Sequence, residues 1–502
     1  MITKYFSQVR MIAGAALVAV RNRGKGWRHI RMTSLYIAVF ALTLLLGSCH
    51  TMLSLRSEYQ RPALSLPIDS LFGQDKAKAD TASDSISRSD SLGLAALSWR
   101  ELFTDPDLQQ LIEEGLHNNA DLITARLKTD EAVASLRAAH LASLPSVTLS
   151  PQGGLSTYDW GAVQKTYNLS VGAQWEADLF SRITNRERYA KATVAEQDAY
   201  RQAVESQLVA TIANSYYNLL KLDNQLAISD DNLKLMRETV RALKVKMDVG
   251  ESNEAAVTQA EAQALSVEHT MSTIRQNIRT QENAICTLLG RTPSTINRGR
   301  LTDEVFPDTI MAGVPAALLD GRPDVRQAEQ RLRQTFYNVN IVRAAFYPSL
   351  TLSGTLGWTN SAGSVVSNPG KWIANAIGQL TQPIFDRGQN RANLRIAQLQ
   401  HDEAMVAWRQ SLVKVGSEVN DALTQWQSAR GRITTDHERT AQLRRTVKAT
   451  RQLMAHSDSA NYLEVLTAEA NLLQSQLTTL DDTYGMIQGV VSLYQALGGG
   501  TR

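Results

Sequence analysis

The sequence predicts a mixed α+β chain, mainly very long α-helices in coiled-coil packing, with four β-strands of membrane-spanning length. Three observations predict it: the body is written twice, its helical stretches carry a sustained seven-residue apolar period, and between them lie ten-residue segments that alternate strictly. The duplication comes first. Leu144-Pro-Ser-Val-Thr-Leu-Ser150 recurs as Tyr347-Pro-Ser-Leu-Thr-Leu-Ser353 at an offset of 203, and Leu179-Phe-Ser-Arg182 as Ile384-Phe-Asp-Arg387 at 205. Thr258-Gln-Ala-Glu-Ala262 recurs as Leu466-Thr-Ala-Glu-Ala470, and Leu288-Leu-Gly290 as Ala496-Leu-Gly498, both at 208. The order is kept and the offsets drift slowly, so this is one large duplication rather than a short solenoid.

The chain begins with an address. Residues 1–48 carry Lys4, Arg10, Arg21, Arg23, Lys25, Arg28 and Arg31 and no acid, and end in the uncharged run 34–46. Thirteen residues are too few to span a bilayer but suit the apolar core of a signal peptide. Leu46-Gly47-Ser48-Cys49 resembles a bacterial lipobox, which implies cleavage after Ser48 and lipid attachment at Cys49. An ordinary secretory leader with an incidental cysteine is the plainer reading. From about Ser65 to Ser98 the chain is rich in Ser, Asp and Ala, a composition that cannot bury enough apolar surface to order itself. The predicted organisation is therefore a leader over 1–48, a lipid-anchored tether over 49–98, a first repeat over 99–290, a connector over 291–320 and a second repeat over 321–502.

Each repeat reads as a helix, two strands and two long helices. Ile212, Leu219, Leu226, Leu233, Val240 and Met247 fall every seven residues, and Val419, Trp426, Ile433, Thr440, Val447 and Met454 keep that phase at an offset of 207. Such spacing marks left-handed coiled-coil packing. Returning helices carry Met271, Ile278 and Ile285, then Leu466, Leu473, Leu480 and Ile487. A helix from about Asn185 to Met247 would be about 95 Å long at 1.5 Å per residue.

The strands follow period 2. Tyr167, Leu169, Val171, Ala173 and Trp175 alternate with polar or small residues, as do Leu350, Leu352, Leu356 and Trp358. Partner strands are expected at about 146–158 and 372–385, the last ending or bending at Pro383. Ten alternating residues fit a transmembrane strand, and a soluble sheet with one wet face fits the same pattern. Four strands cannot close a barrel, and lipid does not tolerate an open edge, so membrane-spanning strands would require several chains to share one barrel. Trp160, Trp175, Trp358 and Trp372 are expected at the membrane interfaces.

Composition narrows the function classes. The chain has 502 residues, 43% apolar, with a net charge of +3. Setting the seven leader cations aside leaves 45 basic against 49 acidic side chains, which argues against a nucleic-acid partner. A mean hydropathy of -0.23 excludes a polytopic helical membrane protein. Cys49 and Cys286 cannot build a disulfide framework or a four-thiolate zinc site, and Cys286 sits on an apolar helix face. Eight scattered histidines show no ligand spacing, and no phosphate loop, nucleophile elbow or zinc-protease motif occurs, so neither an enzyme nor a cofactor is expected.

From Trp99 to Gly500 the chain resembles the outer-membrane factor family of TolC-like channels, in its lipoprotein branch. The resemblance rests on Trp99-Arg-Glu-Leu-Phe-Thr-Asp-Pro-Asp-Leu108, Asn118-Asn-Ala-Asp-Leu122, Leu318-Leu-Asp-Gly-Arg-Pro-Asp-Val325 with Ala328-Glu329, Tyr462-Leu-Glu-Val-Leu466 with Ala468, and Ala496-Leu-Gly-Gly-Gly500. It implies a homotrimer with a twelve-stranded outer-membrane β-barrel, continuous with an α-helical periplasmic tunnel. It implies an exit duct for drugs or metal ions, fed by an inner-membrane efflux pump through a periplasmic adaptor and anchored in outer-membrane lipid, where His50 after the cysteine also directs it. An exit channel for type I protein secretion and a periplasmic scaffold lipoprotein are the alternatives. The family closes its tunnel where the long helices reverse, here 248–254 and 456–462, brought into register by Asn253 and Asn461. Asp458 stands where the family has glycine, and Ala256 where related channels carry aspartate. The expected gate residues are Glu251, Glu254, Asp458 and Tyr462, since carboxylates repeated around a threefold axis attract cations. Solvated carboxylates beside helix starts capped by Ser252 or Asn253 are the plainer reading.

Overall fold

The computed structural model describes residues 57–62, 98–157, 159–301, 304, 321–362, 365–456 and 462–499. The leader 1–48, Cys49, nearly all of the tether, most of the connector, Asp458 and Asn461 lie outside the described residues. The element order is α1 (Trp99–Leu102), α2 (Pro106–Asn118), α3 (Ala120–Leu141), β1 (Ser146–Ser156), β2 (Gln164–Ala177), α4 (Arg182–Asp248), α5 (Glu254–Leu288), α6 (Pro323–Ala344), β3 (Ser349–Ala362), β4 (Val365–Thr381), α7 (Gln389–His456) and α8 (Tyr462–Ala496). The second half repeats the first: helix, two strands, two long helices.

The leading helix of the first repeat is broken into three pieces, each with a local cause. Asp105 caps α2, its Oδ1 accepting from the Asp107 amide at 2.8 Å, and Pro106 occupies the first helical position, where a missing N–H costs nothing. Asn119 leaves the helical region and caps α3 by accepting from the amides of Asp121 and Leu122, both at 3.0 Å. Its Nδ2 donates to the Leu288 carbonyl at the end of α5, 2.9 Å away. The Asn118-Asn-Ala-Asp run is thus a helix break that also satisfies a distant helix terminus.

α4 and α7 run uninterrupted for 67 and 68 residues, about 100 Å each at 1.5 Å per residue. The seven-residue stripe is the buried one. Ile212, Leu219 and Leu233 of α4 and Val419, Trp426, Val447 and Met454 of α7 are all buried. The largest core gathers Tyr216 and Tyr217 of α4, Phe103 just after α1, Leu108 and Ile112 of α2, Ile285 and Cys286 of α5, and Val490, Val491 and Tyr494 of α8. Cys286 packs there as a small apolar residue. Arg298 after α5 ties the hairpin by pairing with Asp223 of α4 and Glu282 of α5, at 2.5 and 2.7 Å. The run Gly321-Arg322-Pro323-Asp324 leads into α6. Arg322 adds a clamp, pairing with Asp324 and with Glu418 of α7 at 2.7 Å and donating to the Ala496 carbonyl at the end of α8.

The four strands form one sheet in the order β1-β2-β3-β4, with β2–β3 and β3–β4 antiparallel. β4 starts and ends earlier than the 372–385 expected, because β3 extends to Ala362 and carries its pairing past Trp372 as far as Val365. Pro383 lies just beyond the strand, consistent with a residue that cannot donate to a ladder. Two compact units emerge, each drawing on both repeats. One holds Val147–Arg182 and Arg343–Ile384; the other holds Gln60–Ser146, Ile183–Val342 and Phe385–Arg502.

Candidate membrane-spanning sheet and helical tip

Register sorts the side chains of the sheet into two faces. Residues directly opposite each other point the same way. One face therefore carries Leu169, Trp358 and Trp372 on one rung, Val171, Leu356 and Ala374 on another, then Ala173, Gly354 and Ala376, then Trp175, Leu352 and Gly378, and lastly Ala177, Leu350 and Leu380. No polar side chain occurs on those five rungs. The opposite face carries Asn168, Thr359 and Lys371, then Ser170, Gly357 and Ile373, then Gly172, Thr355 and Asn375, then Gln174, Ser353 and Ile377, and finally Glu176, Thr351 and Gln379, so it is mainly polar with two isoleucines from β4. β1 joins the same pattern. Thr148 Oγ1 lies 3.4 Å from where a Cβ on Gly172 would stand, which puts Thr148 on the polar face and Val147, Leu149 and Leu155 on the apolar one. All three are exposed, as are Leu169, Leu356, Trp372 and Leu380.

The tryptophans mark the ends of this band. Trp358 and Trp372 face each other on adjacent strands in an edge contact at 5.6 Å. Trp175 stands six residues along β2 from the rung of Trp358, about 20 Å at 3.3 Å per residue. Trp160, almost fully exposed, lies in the turn between β1 and β2. Near the Trp358 end a bulge between Thr359 and Ser361 is closed by Asn360, whose side chain accepts from the Tyr167 amide at 2.7 Å and donates to the Lys165 carbonyl at 2.8 Å. At the other end Arg182 pairs with Glu176, and Phe180 stacks on Tyr347 at 4.8 Å. No described helix is long and apolar enough to cross a membrane.

The tip between α4 and α5 is shaped by backbone hydrogen bonds. The Gly250 amide donates to the Met247 carbonyl at 3.0 Å and the Glu251 amide to the Lys246 carbonyl at 2.8 Å, with Gly250 at φ +80°. This pattern closes a helix end and requires a left-handed residue, which glycine supplies without strain. Gly290 and Gly498, equivalent across the duplication, end α5 and α8 with the same pair of bonds. Of the two caps the sequence offered, Asn253 is the one used, accepting from the Ala256 amide at 2.9 Å.

Glu251 and Glu254 are both brought to this turn and both are exposed. Glu251 lies 3.5 Å from Lys246 Nζ, a weak solvated pair, while Glu254 occupies the first position of α5. Tyr462 opens α8 and packs, half-buried, on a cluster of Leu243, Ala256, Val257, Ala260, Met454, Val465 and Leu466. That cluster unites residues of both hairpins near their reversals. Two further carboxylates escape a sequence reading. Glu464 is exposed in the first turn of α8, and Glu469 is buried on the next. Glu469 Oε1 accepts from Arg451 Nε at 2.9 Å and from Thr239 Oγ1 at 2.8 Å, while Arg451 also donates to the Leu235 carbonyl at 2.6 Å. Burial pushes this carboxyl above its ordinary range, against the pull of Thr239 and Arg451. Its sequence signals are a glutamate inside an apolar period and its place in the Ala-Glu-Ala segment that both repeats share. Among the described residues no three His, Cys, Asp or Glu side chains gather as a metal site would need.

Comparison with known proteins places this arrangement. The outer membrane efflux protein family matches residues 111–291 and 314–499. The chain is similar to the cation efflux system protein CusC of Escherichia coli K12, 31% identical over 468 residues, spanning 92% of this chain and 98% of that protein. It is 28% identical to the probable outer membrane lipoprotein SilC of Salmonella typhimurium, over 93% of this chain and 99% of that one. Among solved structures, a CusC crystal structure described in terms of folding and transmembrane channel formation superposes with a TM-score of 0.76 at 28% identity, covering 88% of this chain and 99% of its own.

Proposed function

The chain belongs to the outer membrane efflux protein family, and from that premise we propose that its helical tip, with Glu254 and Asp458 as the main charges, gates an exit duct that prefers cations. The protein is an outer-membrane efflux channel, homotrimeric, with a twelve-stranded barrel to which each chain gives four strands. The two-faced sheet carries this reading: its apolar face suits lipid and its polar face a lumen. β1 and β4 are edges within one chain, and closing on neighbouring copies removes them.

The gate is carried by the tip. Glu254 is exposed, Glu251 pairs only weakly with Lys246, and Tyr462 is the bulky group on the apolar cluster that joins the two hairpins near this turn. Repeated threefold, such carboxylates lower the energy of a cation and raise that of an anion in the same aperture. Drugs or metal ions are the proposed cargo, and the name of the cation efflux system protein CusC supports the second. Lipid attachment at Cys49 and delivery by a periplasmic adaptor and an inner-membrane pump complete the proposal.

The test is conductance of the lipidated, detergent-purified trimer in a planar bilayer, comparing wild type with Glu254→Ala and Asp458→Ala. Small cation-preferring steps are expected, with selectivity falling in each variant. Unchanged selectivity would remove the gate from these residues, and silence from inserted trimers would remove the duct.

A further inference from the structure

The duplication supplies an internal control for one feature of the second hairpin. Residues of α4 recur on α7 207 positions later, and residues of α5 recur on α8 208 positions later. At one level the first hairpin buries Ser229 of α4 and Ile274 of α5, 1% and 7% exposed. Their counterparts on the second hairpin are Asp436 of α7 and Asp482 of α8. Neutral residues suffice to build the arm at that level, so the fold alone does not call for two acids.

The two acids meet across the seam between α7 and α8. The carboxyl of Asp436 lies within hydrogen-bonding distance of that of Asp482. Asp436 is 8% exposed, and its Oδ2 has no hydrogen-bond partner among the described residues. Asp482 is engaged differently: Arg432 Nε donates to its Oδ1 at 2.7 Å, and a second guanidinium nitrogen lies 2.6 Å from the same oxygen. The charged groups that act on Asp436 are Arg432 and Arg439, one turn to either side on α7, and Asp482 from α8. The neighbouring acid, Asp481, turns instead to α4, where Lys221 Nζ lies 3.4 Å away.

Two ionised carboxylates can accept but not donate, so side by side in a buried seam they repel; one proton between them turns the repulsion into a hydrogen bond. Burial and the adjacent Asp482 hold the Asp436 carboxyl above its ordinary 3.8, while Arg432 holds that of Asp482 below it. The asymmetry assigns the roles: Asp436 carries the proton, and Asp482, fixed by Arg432, accepts it.

We propose that Asp436 and Asp482 share a single proton across the α7–α8 seam, and that its uptake tightens the second hairpin at a level where the first has no titratable pair. A carboxyl held above 3.8 in the folded chain contributes stability that is present below 3.8 and lost as pH rises through the folded value. Acid therefore tightens the arm and alkali loosens it. From this rung the seam continues toward the tip through Thr440 and Ser475, whose hydroxyls lie 2.9 Å apart, and through Val447, Ala468 and Leu472. The pair stands about 20 Å along α8 from Glu469 at 1.5 Å per residue, so the two titrations are read in different segments.

The test is hydrogen exchange of the full-length trimer in detergent, followed by mass spectrometry from pH 4 to 8 and corrected for the intrinsic rate. In peptides covering 430–440 and 478–486, protection is expected to fall about tenfold for each pH unit between 3.8 and the folded value, then level off. Peptides around Ser229 and Ile274 should show no such fall. Asp436→Asn, whose amide donates to Asp482 at every pH, should keep protection high throughout, and Glu469→Gln should leave the slope in place. A wild type without the slope, or Asp436→Asn with it, overturns the proposal. If Asp436→Asn does not assemble, Asp436→Ser with Asp482→Ile decides, since it copies the first hairpin: loss of the slope supports the shared proton, and its persistence overturns it. Protection that calcium restores at fixed pH would mean that a cation joins the two carboxyls, and that also overturns the proposal.

Discussion

Arg451 Nε lies 2.9 Å from Glu469 Oε1, and this one pair links α7 and α8 to α4 through Thr239 and the Leu235 carbonyl. The carboxylate is buried and the guanidinium one-quarter exposed. Removing the cation alone strands a charge that burial already disfavours. Arg451→Met is therefore expected to lower stability by about 3 kcal/mol at pH 7. Because the carboxyl is held above its ordinary 4.5, the folded protein takes up the proton first, and the deficit should shrink as pH falls toward that value. Adding Glu469→Gln should recover most of the loss at pH 7. Thermal unfolding of the single and double variants from pH 7 to 5 checks it; a pH-independent deficit would count against an uncompensated carboxylate.

Glu282 titrates in the opposite direction. Burial acts to raise its carboxyl, but Arg298 and Arg279 outweigh that and hold it below 4.5. A depressed folded value contributes stability that is present above 4.5 and lost as pH falls through the folded value. Wild type is thus expected to lose stability below about pH 4.5. Glu282→Gln should be weaker at pH 7 by about 2 kcal/mol, with Arg298 keeping Asp223, and the gap to wild type should narrow as pH falls below 4.5. Parallel melting curves with a constant offset would show that the pair adds nothing specific.

The two faces of the sheet predict opposite tolerances. Val171→Arg places a charge on the apolar face near its middle, which costs about 2–4 kcal/mol per chain in lipid. Thr355→Arg, on the polar face, should leave assembly intact and alter conductance. The yield of heat-resistant trimer after insertion into lipid measures both, and equal yields would mean that the faces are not a lipid side and a lumen side.

Much of this was legible because the periods are long. Ile212 to Met247 and Val419 to Met454 span five heptads each, more than chance supplies, and Leu169 to Trp175 alternates without a lapse. The β3–β4 boundary was less legible, since Asn360 closes a bulge through bonds to β2 that no local pattern announces. The break at Asn119 lies in a stretch whose sequence does not show its cause, a capping bond three residues long and a second one reaching Leu288. At the tip, Glu251 and Glu254 were visible as acids in a turn, but Glu469 was not, because its role depends on Arg451 and Thr239, which lie 18 and 230 residues away.

The turn at Gly250 isolates backbone strain from packing. An added Cβ would meet nothing within 4 Å, so a substitution there acts only through φ +80°. Alanine in that region is expected to cost about 1 kcal/mol, and asparagine, which visits it more readily, about half as much. The loss should appear as faster hydrogen exchange of the Gly250 and Glu251 amides, which close the helix end, with global melting unchanged because the apolar cluster around Leu243 and Met454 remains. Asn253→Ala should act on the other side of the turn by a similar amount, through the lost bond to the Ala256 amide. If Gly250→Ala and Gly250→Asn exchange alike, the left-handed requirement is not what shapes the tip; if Ala is the faster, the reversal is set by this one glycine and its neighbouring cap.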